Sequence, residues 1–557
     1  MHRLRPHHRR HRGRGRHRHY ARSDVVNLGL SLLYAAERTP EADAVVDGDS
    51  CLDYRDLQRV AAKVAGGLAS LGVGRGDRMA LVLKNRREAV ELYWACQWLG
   101  AVVVPLSWRV AAADVAYCVA DSGATVVAFE DVGLEHARAC TDAVDRFVAV
   151  GTAGAGSSAD LAARFCAGGE AQPCEPYESL LAAGEAPGAP EDLDDRETSI
   201  FLYTSGTTGR PKGVPRSHAA ERAGGLSQSL HQSYRPGERT LGVMPLYHTM
   251  GIHTVLAAQI VGGCFVCQPD WDAAAALELI ESERIGSLYL APTLFHDLVH
   301  LPDLAGADVS SVHSLAYAGA AMTSALVERC VAVFAPEVFI NHYGSTEIYT
   351  YSVDFDQRAA PGCAGRPATN ARLRLVRPEP GTGPDDEVAP GETGEIICHL
   401  GSDEAFAGYW NRPDADARAI RGDWYFTGDL GRLDDDGNLW IVGRIDDMII
   451  SGGENVHPLE VEDVLERAPG VREVAVVGLP DDRWGQAVTA FVVLDDELAE
   501  AGEHAAVARL DAYCLESADL ARFKRPRRYR FPEALPKSPS GKILRRVLRE
   551  QNAGLRR

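Results

Sequence analysis

Apolar and polar positions switch period repeatedly along residues 24–150. Leu57 to Leu71 and Glu88 to Leu99 carry apolar residues at helical spacing. Arg78 to Leu83, Gly100 to Pro105, Thr125 to Phe129 and Arg146 to Val150 are short apolar runs that read as buried strands. That alternation predicts βα units and a mostly parallel sheet. Residues 152–196 are rich in Ala, Gly, Ser, Pro, Glu and Asp and read as a surface excursion. A second alternating block runs from Thr198 to about Ala360. Between 363 and 442 the pattern becomes short strands with Gly/Pro/Asp turns, such as Gly391 to Leu400 and Asn438 to Val442. Residues 447–557 complete a compact α+β unit, with helices over Pro458 to Arg467 and Ala505 to Ser517 and strands over Val471 to Gly478 and Val488 to Leu494. The expected class is α/β: a large N-terminal domain of parallel-sheet subdomains plus a small β-rich subdomain, then a small mobile α+β C-terminal domain. No internal repeat is visible.

A chain of 557 residues is too long for one core, so several domains are expected. Hydrophobic residues at 46% and charged residues at 24% are ordinary for a soluble enzyme. No apolar run reaches the roughly 18 residues that span a bilayer. The net charge of −20 argues against nonspecific binding to nucleic acid or anionic membrane. The first 23 residues run the other way, with nine arginines, six histidines and no acid. They read as a disordered basic tail or an upstream start; a transit peptide needs apolar residues this stretch lacks, and a metal tract needs a ligand spacing it lacks. Without a signal peptide, twelve cysteines are expected to be reduced thiols in the cytoplasm. Cys264-Phe-Val-Cys267 lies in a strand-like run that would put its thiols on opposite faces, which favours a structural role over zinc or redox.

The candidate chemistry starts at Tyr203-Thr-Ser-Gly-Thr-Thr-Gly-Arg-Pro-Lys212-Gly-Val214. Glycine lets the backbone approach a ligand, and successive N–H groups in such a loop form an anion-binding hollow. Thr204, Ser205, Thr207 and Thr208 add hydroxyl donors, and Lys212 adds a point charge suited to phosphate. This is not the Walker pattern, because Pro211 precedes the lysine. Alone, the string is also compatible with a flexible surface loop. Four further motifs suit the same chemistry. In His342-Tyr343-Gly344-Ser345-Thr346-Glu347 an aromatic beside glycine can stack on a purine, and Glu347 is a hard ligand for Mg²⁺. In Trp424-Tyr-Phe-Thr-Gly-Asp429 a carboxylate at a strand end can accept from ribose hydroxyls. Arg444, in Gly443-Arg444-Ile-Asp446-Asp447, can reach ribose or phosphate oxygens, and that stretch is a natural hinge. In Lys537-Ser-Pro-Ser-Gly541-Lys542 a cation on a mobile loop can meet developing charge and then withdraw. Each of these, taken singly, is equally a turn or a solvated surface charge.

In this order, from about residue 28 to 548, the five motifs closely resemble those of the adenylate-forming superfamily. Met244-Pro-Leu-Tyr-His248, Ala405-Phe-Ala-Gly-Tyr-Trp-Asn-Arg-Pro413, Arg483-Trp-Gly-Gln486 and Phe523-Lys-Arg-Pro-Arg527 look most like the bacterial 4-chlorobenzoate/aryl-CoA ligases. The resemblance implies an AMP-binding domain over 24–445 and a cap domain over 446–557 with its hinge at Asp446. It implies two half-reactions, carboxylate plus ATP to acyl-AMP and then thiol plus acyl-AMP to thioester, with ATP, Mg²⁺ and coenzyme A as the cofactors. By the same matching, Thr204, Ser205, Gly206, Thr207, Thr208, Gly209 and Lys212 hold the pyrophosphate portion of ATP. Tyr343, Gly344, Ser345 and Thr346 take the adenine end, Asp429 and Arg444 the ribose, and Glu347 the Mg²⁺. Lys542 bridges carboxylate and α-phosphate. Arg109, Gly452, Gly453, Trp484, Phe523, Arg525 and Arg527 meet coenzyme A. The acyl pocket is lined by Leu226, His248, Thr249, Met250, Tyr289, Ala318, Gly319, His342, Gly344 and Thr350. This wall is more polar than that of the chloroaryl enzymes, and His342 and Tyr289 can hydrogen-bond a ring hydroxyl or amino group. A small aryl carboxylate is favoured over a medium-chain or alicyclic acid. Three other readings stand beside it: an acyl-AMP ligase loading a carrier-protein pantetheine, a luciferase-like oxygenase, and a non-enzymatic binding module. A homodimer is allowed.

Overall fold

The computed structural model describes residues 26–151, 156–167, 172–183, 186–204, 210–320, 322–537 and 542–552. The basic tail and Ser205 to Gly209 of the phosphate-loop motif lie outside the described residues.

Two sheets form the body, with a layer of helices between them. The seven-stranded sheet runs in the order Cys174–Pro176, Phe147–Ala149, Val126–Phe129, Arg78–Val82, Val102–Pro105, Thr198–Thr204, Lys212–Ser217. All its pairings are parallel except the last, a hairpin in which Thr204 faces Lys212. The nine-stranded sheet has Cys264–Cys267, Arg239–Gly242, Ser287–Leu290, Ser314–Ala318 and Val338–Tyr343 side by side and parallel at its centre. The helices Tyr54–Ser70 and Arg87–Leu99 sit between the sheets. Their Leu57, Val64, Leu68, Leu92 and Trp94 share one core with Met79, Leu81 and Val103 of one sheet and Val45 and Phe265 of the other. Cys264 and Cys267 are free thiols in different core clusters, on opposite faces of their strand. Burial pushes the Cys264 thiol up to about 12.

The β-rich part is a five-stranded antiparallel sheet centred on Gly394–His399 and Trp424–Leu433. The C-terminal unit is built on Val471–Asp481 paired antiparallel with Gly485–Leu494. Alternate residues of those strands bury opposite faces. Val474 and Val476 pack with Leu465 and Leu510 of the helices Pro458–Glu466 and Glu503–Glu516, while Ala475 and Val477 pack with Leu548 of the helix Arg545–Asn552.

One stretch differs from expectation. Within residues 152–196 the structure contains the helix Ser158–Cys166, the strand Cys174–Pro176 and the helix Tyr177–Ala183. The strand extends the parallel sheet, and Leu161, Ala162 and Phe165 enter its core. Few apolar residues carry this packing, so Ala, Gly and acidic residues mask the period. A Ser157–Asp160 capping box starts the first helix. Among the described residues no helix is long and apolar enough to cross a membrane.

Candidate active site

The strands Thr198–Thr204, Ser314–Ala318 and Val338–Tyr343 all end at one cleft of about 1930 Å³, where the turns after parallel strands gather side chains. The β-rich sheet and the C-terminal unit close its other sides. Thr204, Lys212, Tyr343 to Glu347, Asp429, Arg444, Asp446 and Lys542 all line it.

Lys212 begins the strand Lys212–Ser217, and its Nζ sits 3.9 Å from the centre of the Tyr409 ring. Burial lowers its ammonium from the ordinary value, against the opposing pull of Glu347. Glu347 follows the strand Val338–Tyr343 in a tight turn. Ser345 Oγ accepts from the backbone N–H of Glu347 at 3.1 Å, and Tyr351 donates to that oxygen at 2.6 Å. The turn requires Gly344, because a Cβ there would lie 1.8 Å from the Tyr349 carbonyl oxygen. Tyr409 donates its hydroxyl to Glu347 Oε1 at 2.5 Å.

Asp429 stands opposite Arg444 in the Trp424–Leu433 and Leu439–Arg444 pairing. Arg444 Nη1 is 2.9 Å from Asp429 Oδ1, and Tyr343 donates to Oδ2 at 2.7 Å. Burial raises the Asp429 carboxyl from its ordinary value, with Arg444 and Tyr343 working against it. Lys542 reaches in from the C-terminal unit and passes close over Gly319, where a Cβ would stand 3.3 Å from Lys542 Cε. Gly319 has φ +89°, so glycine suits both the turn and the lysine. Lys542 keeps surface open to the cleft, yet enclosure by its walls lowers the ammonium from its ordinary value while Asp429 pulls the other way. Lys212, Arg444 and Lys542 bring three cations to the part of the cleft that holds Glu347 and Asp429, and such cations suit a polyphosphate.

Glu347 supplies a hard carboxylate ligand. Mg²⁺ favours one or two such ligands completed by phosphate oxygens and water, so the residues fit Mg²⁺ carried on a triphosphate. Among the described residues no group of three or more His, Cys, Asp or Glu gathers to cage a metal by itself.

Of the residues expected at the acyl group, His248, Thr249, Met250, Tyr289, Ala318, Gly319, His342 and Gly344 line the cleft. His248 caps the helix Thr249–Ile260, and burial, with Lys542 nearby, pushes its imidazole down to about 3. His342 is 3% exposed, and neither ring nitrogen has a hydrogen-bond partner among the described residues. Burial, then the neighbouring His231, holds it well below the ordinary histidine range. The neutral ring therefore offers one donor and one acceptor beside the Tyr289 ring, 5.3 Å away.

Two expected wall residues are elsewhere. Leu226 is 42% exposed on the solvent side of the helix His218–His231, whose inward positions are Gly224, Gly225, Ser227 and Gln228. Thr350 is buried behind the wall, its N–H donating to Glu404 Oε2 at 3.0 Å. Sequence reasoning missed Tyr349, which lines the cleft and donates to Gln228 Oε1 at 2.6 Å, and Tyr409. Tyr349 stands two residues past Glu347, where an aromatic beside the motif is a sequence signal; Tyr409 lies within Ala405 to Pro413, and nothing in the sequence ties it to Glu347.

The residues expected at coenzyme A do not line the cleft in this structure. Trp484 accepts at its carbonyl from the Gly452 N–H at 2.8 Å, and Arg527 lies over its ring at 4.9 Å. Gly453 follows in the same hairpin. Phe523 is 43% exposed, and Arg525 is paired with Asp511 at 2.6 Å. Arg109 lies on the body, over Trp108 and 3.1 Å from the Tyr247 hydroxyl. Asp446 sits in the short turn Ile445–Asp447 that joins the β-rich sheet to the C-terminal unit.

Residues 32–410 match the model of the AMP-binding enzyme family, and residues 460–542 match that of the AMP-binding enzyme C-terminal domain. The chain is 34% identical to the long-chain-fatty-acid–CoA ligase FadD13 of Mycobacterium tuberculosis, across 95% of this chain and 99% of that one. It is 34% identical to a 4-chlorobenzoate–CoA ligase of Arthrobacter sp, across 93% and 94%. Among solved structures, the anthranilate CoA ligase AuaEII in complex with anthranoyl-AMP superposes with TM-score 0.84 at 25% identity, over 94% of this chain and 97% of that one. The chain belongs to the AMP-binding enzyme family and is an acid–thiol ligase.

Proposed function

We propose that this ligase activates a small aryl carboxylic acid bearing a hydrogen-bonding ring substituent and transfers it to coenzyme A. The observation that carries the reading is the polar acyl wall, above all the buried His342 with both nitrogens unsatisfied beside Tyr289. A buried polar group without a partner is costly, and a substrate hydroxyl or amino group would supply one.

A free carboxylate is a poor acyl donor. In the first half-reaction one of its oxygens attacks the α-phosphorus of ATP, the bond to pyrophosphate breaks, and acyl-AMP forms. In the second, the thiol of coenzyme A attacks the acyl carbon and AMP leaves. Positioning and charge neutralisation do most of the work. Lys542 meets the carboxylate and α-phosphate. Lys212 and Thr204, with the loop between them, hold the outer phosphates. Asp429 and Arg444 take the ribose hydroxyls, and Tyr343 stacks on adenine above the open backbone of Gly344 to Thr346. Glu347 would hold Mg²⁺, which when bound neutralises charge on the phosphates. Residues 24–445 act as the body, and 446–557 as a cap that turns about Asp446 between the half-reactions. The turn carries Lys542 out and brings Gly452, Gly453, Trp484, Phe523, Arg525 and Arg527 round to coenzyme A, whose phosphates meet Arg109.

The test is pyrophosphate release over hydroxy-, amino-, methyl- and chloro-benzoates, alicyclic acids and medium-chain fatty acids, with coenzyme A, with a carrier protein, and with neither. Release dependent on a hydroxy- or amino-substituted aryl acid, and thioester made with coenzyme A, is the expected result. Preference for unsubstituted fatty chains would overturn the aryl assignment. A carrier protein active where coenzyme A fails would make the enzyme a loading ligase.

A further inference from the structure

Arg216 is 1% exposed, on the strand that begins with Lys212. Residues two apart share a face, so Lys212 and Arg216 point the same way, one at the cleft and one deep behind it. The Arg216 guanidinium joins three segments. Its Nε pairs with Glu221, 0% exposed, on the helix His218–His231. Its Nη1 donates to the carbonyls of Thr346 at 3.0 Å, Glu347 at 3.5 Å and Glu404 at 3.0 Å.

Those carbonyls belong to the two segments that present the Glu347 carboxylate. The 344–348 turn carries Glu347 itself. The 402–409 segment carries Tyr409, which donates to the carboxylate. The segments also meet directly, through Phe406 N–H to the Glu347 carbonyl at 2.8 Å and the bridge between Ile348 and Ala405. Glu221 in turn lies 3.4 Å from His253 Nε2. Burial opposes ionisation of Glu221, but His253 and Arg216 hold its carboxyl down at about 2. A permanently charged, forked donor is suited to gripping several carbonyls at once, and a lysine is not.

We propose that Arg216, oriented by Glu221, is a positioning residue that fixes the carboxylate of Glu347 for Mg²⁺ and so sets the metal requirement of adenylation. The inference rests on the assignment of Glu347 to Mg²⁺ made above. Arg216 touches neither substrate nor metal; it acts through the backbone of the residue that does. Partners one layer behind a metal ligand commonly change metal affinity or activity by about 10–100-fold when lost.

The experiment compares wild type, Arg216→Lys, the double variant Arg216→Met/Glu221→Gln, and Glu347→Gln. The double variant removes both buried charges together, so neither is left alone. Each is measured for pyrophosphate exchange against free Mg²⁺, for thioester formation from supplied acyl-adenylate, and for thermal midpoint. Arg216→Lys and the double variant are expected to raise the Mg²⁺ concentration for half-maximal exchange by about 10-fold, with thioester formation unchanged. Equal loss in both half-reactions, or a wild-type Mg²⁺ profile in a folded double variant, would overturn the proposal. Glu347→Gln separates the two claims. If it shifts the Mg²⁺ profile and the Arg216 variants do not, Arg216 is a structural residue only. If Glu347→Gln leaves the profile unchanged, the metal assignment itself falls.

Discussion

The hydroxyl of Tyr409 donates to Glu347 Oε1 at 2.5 Å while the ring of the same tyrosine lies 3.9 Å beneath Lys212 Nζ. One side chain thus orients the carboxylate and carries the cation, the two groups assigned to metal and phosphate. Tyr409→Phe separates these contacts, since it keeps the ring and removes the hydroxyl. It is expected to slow pyrophosphate exchange by about 10-fold, while thioester formation from supplied acyl-adenylate stays near wild type. Steady-state assays of the two half-reactions check this, and an unchanged exchange rate would remove Tyr409 from the account.

Gly319 and Lys542 make a second linked pair. A side chain at 319 is strained by φ +89° and would meet Lys542 Cε at 3.3 Å. Gly319→Val is expected to cost about 1 kcal/mol of stability from the backbone alone. Its larger effect is to push Lys542 out of the cleft, so adenylation falls further than thioester formation. A thermal melt and the two half-reaction rates together distinguish displacement from simple unfolding.

Buried neutral histidines make the fold sensitive to acid. Burial pushes His231 down to about 4, and its Nε2 is 2.9 Å from Thr369 Oγ1. An unfolded histidine titrates near 6.5. Between those values the unfolded chain binds the extra proton, so stability falls as pH drops from 6.5 toward 4. Glu221, with its carboxyl at about 2, loses its contribution only at lower pH, as pH falls from about 4.5 toward 2. His231 alone is expected to account for about 2 kcal/mol of stability lost between pH 7 and pH 5. His231→Gln, which does not titrate, should flatten the dependence of the melting midpoint over that window. An identical slope in variant and wild type would contradict the assignment.

Trp484, bracketed by Gly452 and Arg527, is assigned to the thiol half-reaction. Trp484→Ala is expected to raise KM for coenzyme A by about 10-fold, equivalent to about 1.4 kcal/mol, and to leave pyrophosphate exchange alone. Slowed exchange would place the tryptophan in the wrong half-reaction.

Much of this molecule was legible because its parts obey local rules. The helix Tyr54–Ser70 and the strand Arg78–Val82 fall within a few residues of the positions their apolar periods indicate. Asp429 and Arg444 stand far enough apart in sequence to look unrelated, yet each closes a motif, and antiparallel register sets them opposite one another. What escaped has physical reasons. The helix Ser158–Cys166 buries Leu161, Ala162 and Phe165 within a polar, alanine-rich stretch that hides its period. Leu226 differs from its buried neighbours only by helical phase. Arg216, Glu221 and His253 are three ordinary polar residues in sequence. Only the packing of one strand against two helices brings them together as one buried cluster.

The central claim is that Lys542 serves adenylation from within the cleft and is not needed for the transfer to thiol. Lys542→Ala, assayed separately for pyrophosphate exchange and for thioester formation from supplied acyl-AMP, tests it most directly. Exchange should fall on the order of 10²–10³-fold, as for loss of a charge-stabilising group at a reacting centre, with thioester formation close to wild type. Normal exchange in the variant, or equal loss of both steps, would contradict the account.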